Sequence, residues 1–177
     1  MSDQEKKKIV LMGLDNSGKT SIVLNLMDRV NLLDYLSLGP TTGADVMDFS
    51  TKNKEFNIWD LGGQKTYRID YLENLDKYVT GINKLIYVID VQDVDRYDDA
   101  LNFLEKILNH LHENDYNPDL NVFIHKYDPH LFEVCPDVNK EIINNLIKDI
   151  KNIILEQFYY EIYKTTIFTT FEKRYVH

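Results

Sequence analysis

Residues 13–20 read Gly-Leu-Asp-Asn-Ser-Gly-Lys-Thr, two glycines around four residues and then a Lys-Thr pair. That spacing suits the capture of an anion. Glycines let the backbone fold tightly, so that successive N–H groups point inward, and a helix starting at Lys19 adds the positive end of its dipole. Lys19 can reach the outer phosphates of a nucleotide, and the Thr20 hydroxyl suits a Mg²⁺ ion bridging them. A glycine-bracketed turn of no function is the bland alternative, and the Lys-Thr pair with its flanking elements weighs against it. The chemistry implied is the binding of a nucleoside di- or triphosphate.

Further along, WDLGGQ (59–64) ends an apolar run. Asp60 stands where a second carboxylate can hold Mg²⁺ through water. Gly63 can bring its backbone N–H against a terminal phosphate, and Gln64 has an amide that can orient a water molecule. In GPTTG (39–43) a threonine can join the metal only when a third phosphate is present, which would make the loop order with the triphosphate and loosen with the diphosphate. Thr41 is the first candidate and Thr42 its competitor. In HKYD (125–128), the carboxylate of Asp128 can accept two hydrogen bonds from guanine N1–H and the 2-amino group, a pattern adenine does not offer. The Lys126 stem can lie along base or ribose. A backbone N–H at Thr166 can meet guanine O6.

These residues need a scaffold, and the apolar periods supply one. Short apolar runs at 6–12, 44–51, 55–61, 84–91, 121–126 and 162–168 read as six strands, the second and third joined by a tight turn at 52–54. Helical spacing runs from 19 to 30, from Tyr97 to Leu111, and across 138–158. Strands alternating with helices imply an α/β fold, a mostly parallel six-stranded sheet with helices on both faces. Ligands bind such sheets at the C-terminal ends of the strands. Residues 114–118 and 128–137 read as the longest loops, and 1–177 as a single domain.

The net charge of −9 is a poor surface for nucleic acid or anionic lipid, so phosphate binding has to be local and pocketed. One cysteine, Cys135, allows no intrachain disulfide and fits a reducing compartment. MSDQEKKKIV has no signal-peptide core, and Ser2 excludes N-myristoylation. The expectation is a cytoplasmic protein that reaches membranes only through partners. Four arginines, Arg29, Arg68, Arg96 and Arg174, are widely scattered. A phosphotransferase needs several gathered around the phosphates.

Taken as a set, these motifs resemble the P-loop small GTPases of the Ras superfamily. GLDNSGKT, PTTG and WDLGGQ are similar to the Arf-like branch. LIYVIDV, HKYD and TTI are similar to the Rag-like branch, in which His replaces the usual Asn of the guanine motif. The resemblance implies a P-loop NTPase small G-domain that binds GTP and GDP with Mg²⁺ and hydrolyses GTP slowly. It implies that Gly13, Leu14, Asp15, Asn16, Ser17, Gly18, Lys19, Thr20 and Ser21 line the phosphates. Thr20, Thr41 and Asp60 would serve the metal, Gly63 the γ-phosphate and Gln64 the water. His125, Lys126, Asp128 and Thr166 would surround the base. The partners implied are effectors, GTPase-activating proteins (GAPs) and exchange factors, and a second GTPase in the Rag manner. An alternative is a GTP-binding scaffold or heterodimer half that does not hydrolyse.

Overall fold

The computed structural model describes residues 6–27, 38–51 and 54–168. Its strands are β1 (Lys7–Gly13), β2 (Ala44–Ser50), β3 (Glu55–Leu61), β4 (Ile82–Asp90), β5 (Asp119–His125) and β6 (Tyr160–Lys164). The helices are α1 (Lys19–Leu26), α2 (Lys65–Glu73), α3 (Leu75–Val79), α4 (Tyr97–Glu113), α5 (Leu131–Val134) and α6 (Lys140–Ile153), with a 3₁₀ turn at Val94–Arg96. The strands form one sheet in the order β2-β3-β1-β4-β5-β6. Only the β2–β3 pair is antiparallel. The fold is the expected P-loop small G-domain architecture.

The centre of the sheet is buried on both faces, which is why β1 and β4 read as continuous apolar runs, whereas the edge strands β2 and β6 are exposed or half-buried throughout. Side chains alternate across it. Val10, Met12, Leu85, Tyr87 and Ile89 enter a large cluster with Phe103, Leu104, Ile107 and Leu108 of α4 and Ile143, Leu146 and Ile150 of α6. Leu11, Ile58, Ile86 and Val88 point the other way, onto Ile22 and Val23 of α1. Helix α4 carries its apolar stripe at three- and four-residue spacing, with Asp98 and Asp99 in its first turn where the dipole favours them.

Several boundaries differ from the sequence reading. Helix α6 starts where the Asn139 side chain accepts the N–H of Ile142 at 2.9 Å, and it ends at Ile153 rather than 158. Ile154 is extended although it and Phe158 are buried. The chain must reverse direction before Tyr160 to lay β6 parallel to β5, and a longer helix leaves no room for the turn. Strand β6 ends at Lys164 rather than 168; the Thr165 N–H still bonds Ile124 O of β5 at 3.0 Å, and its carbonyl then accepts the Tyr127 N–H at 3.0 Å from the loop after β5. The loop 128–137 contains the one-turn helix α5. Lys52 and Asn53 of the expected hairpin turn lie outside the described residues, as do Arg29 and Arg174. The turn is closed by Thr51 N–H bonding Lys54 O at 2.8 Å. Cys135 is half-buried and packs against the core.

Candidate functional site

The ends of β1, β3, β4 and β5 meet along one edge of the sheet. There the chain after β1 turns into α1 around a cavity of about 380 Å³. Asp15, Asn16, Gly18, Lys19, Thr20 and Ser21 line it, together with Leu38, Gly39, Pro40 and Thr41 from the loop before β2 and Gly63 and Gln64 after β3. Gly18 and Gly63, both lining the cavity, are among the glycines dictated by close approach. Gly18 is left-handed (φ 91), and a Cβ there would lie 2.6 Å from Cδ2 of His125. A Cβ on Gly63 would lie 2.1 Å from the backbone carbon of Leu14. The Gly63 carbonyl accepts the N–H of Asp15 at 3.0 Å, which ties the end of β3 to the first loop.

Lys19 is buried and donates to Leu14 O at 2.7 Å and Gly13 O at 3.2 Å. Burial lowers its pKa to about 8, against the opposing pull of Asp60 and Asp15. Burial raises the pKa of Asp60, and the Thr20 hydroxyl and Lys19 hold it down. Thr20 Oγ1 donates to Asp60 Oδ2 at 2.5 Å and lies 2.8 Å from Thr41 Oγ1. The structure thus brings Thr41, and not the exposed Thr42, to this cluster. Asp60 Oδ1 is buried with no partner among the described residues. Two hydroxyls and a carboxylate with an idle buried oxygen are a hard-oxygen donor set, so these residues fit a Mg²⁺ ion. The loop before β2 is further tied to α2: Gly43 O accepts from Gly62 N–H at 2.9 Å and from the Tyr71 hydroxyl at 2.8 Å.

His125, Lys126, Asp128 and Thr166 stand apart from the lined cavity and together with one another. His125 is buried. Its ring lies against Gly18, and Nδ1 pairs with Thr165 Oγ1 at 2.9 Å. The end of β5 therefore meets the loop into α1 by ring-to-backbone packing, with the imidazole's hydrogen bond going to the loop after β6. Burial and then Lys126 lower the His125 pKa. The Thr166 hydroxyl donates to Asp128 Oδ1.

Asp15 lines the cavity as expected and also carries an ion pair that the sequence reading does not anticipate. Arg96 reaches it from the turn before α4, Nη1 donating to Oδ1 at 2.7 Å, and Nε of the same guanidinium donates to Asp93 at 2.6 Å. One of the scattered arginines thus sits at the phosphate loop. Asp90, Gln92, Arg96, Tyr71 and Thr165 were all missed from sequence. Asp90, Gln92 and Arg96 fall in DVQDVDR, a run that carries no spacing rule pointing to them, and Tyr71 and Thr165 lie outside it.

An α/β sheet with a glycine-bracketed anion loop, an adjacent threonine–carboxylate cluster and a separate carboxylate loop on the next strand defines a nucleotide-binding domain of the small GTPase class. The Gtr1/RagA G protein conserved region matches residues 8–173, and the chain belongs to that family, a small GTPase of Arf/Rag type. It is 38% identical over 109 residues to ADP-ribosylation factor-like protein 2 of Dictyostelium discoideum, covering 61% of this chain and 55% of that protein. It is 32% identical over 180 residues to Ras-related GTP-binding protein C of Mus musculus, covering 97% of this chain and 44% of the relative. The chain spans about half the length of the curated relatives it matches. The Arl6 BBS3 small GTPase of Trypanosoma brucei, solved with GppNp, superposes with a TM-score of 0.68 at 22% identity, covering 92% of this chain and 87% of that one. Among the described residues no helix is long and apolar enough to cross a membrane.

Proposed function

We propose that this chain is a Mg²⁺-dependent GTP switch that hydrolyses GTP slowly to GDP and phosphate. The observation that carries the reading is one cavity walled at once by Lys19 and Thr20, by Thr41 from the loop before β2, and by Gly63 and Gln64 after β3. A third phosphate would touch both loops, and its loss would release them. Lys19 binds and neutralises the outer phosphates. Thr20, Thr41 and Asp60 would hold Mg²⁺, which would supply neutralisation of the phosphate charge. Gln64 orients the attacking water. Asp128 reads guanine. Effector and regulator proteins would read the two loops, and the Rag relatives add a second GTPase to that set. The whole chain acts as a single G-domain, cytoplasmic and drawn to membranes through partners.

Single-turnover phosphate release from GTP tests this. The expected unaided rate is on the order of 10⁻⁴ to 10⁻² s⁻¹, because no arginine reaches the cavity unpaired among the described residues. No release over a day would leave binding without hydrolysis. A preference for ATP over GTP would overturn the reading altogether.

A further inference from the structure

Two side chains at the end of β4 have no task in the nucleotide reading, yet both turn toward the loop after β5. Asp90 pairs through Oδ2 with Lys126 Nζ at 2.6 Å, and its Oδ1 accepts the backbone N–H of Gln92 at 2.9 Å. The side-chain amide of Gln92 donates to Lys126 O at 3.0 Å and to Asp128 Oδ2 at 3.1 Å. Both partners are acceptors, so the nitrogen end of the amide must face them and both its hydrogens are engaged. Lys126 holds a left-handed backbone (φ 59), an uncommon state for a residue with a side chain. The Asp90 pair fixes its ammonium and the Gln92 bond fixes its carbonyl.

The consequence falls on Asp128. A carboxylate offers about four lone-pair sites, two per oxygen. The Thr166 hydroxyl occupies one on Oδ1 and Gln92 one on Oδ2. One site per oxygen remains, which matches two donors side by side. We propose that Gln92 is a positioning residue for purine selection: it sets the plane of the Asp128 carboxylate so that both oxygens face guanine N1–H and the 2-amino group together. Resting as it does on the reading of Asp128 as the base reader, it goes beyond it in assigning selectivity to a residue outside the base loop. A carboxylate free to turn would still accept one bond from N1–H. It would also swing away from the C2 carbonyl of xanthine, which the fixed carboxylate repels, so discrimination narrows from both sides.

The test is displacement of a fluorescent guanine nucleotide by GTP and by XTP, on the parent, Gln92→Met, Gln92→Glu and Asp128→Asn, each checked for folding by thermal unfolding with GDP. Gln92→Met keeps the length and removes both donors. It should shrink the preference for GTP over XTP by about tenfold, the weight of one hydrogen bond to a charged group. Gln92→Glu sets an acceptor against an acceptor and should shrink it further. This variant keeps the shape of glutamine and carries the comparison if the methionine variant fails to fold. If both Gln92 variants keep the parent's preference while Asp128→Asn moves toward XTP, the role of Gln92 is overturned and the base reading stands. If Asp128→Asn leaves the preference unchanged, the base is read elsewhere and both fall.

Discussion

Gln64 does two things with separate atoms. Its backbone carbonyl accepts the N–H of Arg68 at 3.0 Å and starts α2, and its side chain makes no cap bond and borders the cavity. Gln64→Leu should therefore leave α2 and GTP binding intact and lower single-turnover hydrolysis by about 10²-fold, the low end for a positioned catalytic group. A variant as fast as the parent would remove Gln64 from the reaction. Thr20 is different, because one hydroxyl meets both Asp60 and Thr41. In Thr20→Asn an amide replaces it, and its NH₂ end is a poor neighbour for a cation. The purified variant should carry GDP or no nucleotide, read by chromatography of the released nucleotide. Equal retention of GTP and GDP would count against Thr20 as a metal ligand.

At the scale of elements, the loop before β2 and helix α2 are coupled through Gly43 O, which takes both the Gly62 amide and the Tyr71 hydroxyl. Tyr71 is buried and stacks edge-on against Tyr78, which meets Trp59 of β3 in the same way. Tyr71→Phe keeps the aromatic packing and removes one donor. Gly43 O keeps the Gly62 bond and is not orphaned, so the loss of stability should be about 1 kcal/mol in denaturant unfolding. The clearer effect is on coupling: proteolysis of the loop before β2 in the GTP-bound state should quicken relative to the parent. Equal protection would mean that backbone pairing alone carries the coupling.

For the whole molecule, His125 joins three segments, the loop into α1, the end of β5 and the loop after β6. Lys126, Asp90 and Asp128 are the charged neighbours that act on it, and burial together with Lys126 outweighs the two carboxylates and lowers its pKa below 6.5. The unfolded chain then holds a proton there that the folded chain does not. Stability from this group is present above about pH 6.5 and is lost as pH falls toward the lower folded value. Denaturant unfolding between pH 7.5 and pH 5 should show the parent losing more stability than His125→Asn, which does not titrate. Parallel losses would mean that acid sensitivity lies elsewhere.

The phosphate loop was legible in sequence because its function is a local backbone shape. Gly13, Gly18 and the Lys19-Thr20 pair have to be adjacent for the loop to form at all. The strands were legible because double burial leaves an apolar run with no alternation, as in LIYVID. Thr41 was preferred to Thr42 without a reading of which side chain turns inward, and the approach of the loop to Thr20 and Asp60 brings Thr41 there. Apolar spacing marks what is buried, not the direction of the chain, so it carried α6 past Ile153 into a turn whose Phe158 is just as buried. The polar pairs were out of reach. Arg96 with Asp15 spans 81 residues and Gln92 with Asp128 spans 36. A charged or amide side chain announces only that it needs a partner. The sheet order, with β1 between β3 and β4 and β4 beside β5, brings the end of β4 to both loops at once and selects those partners.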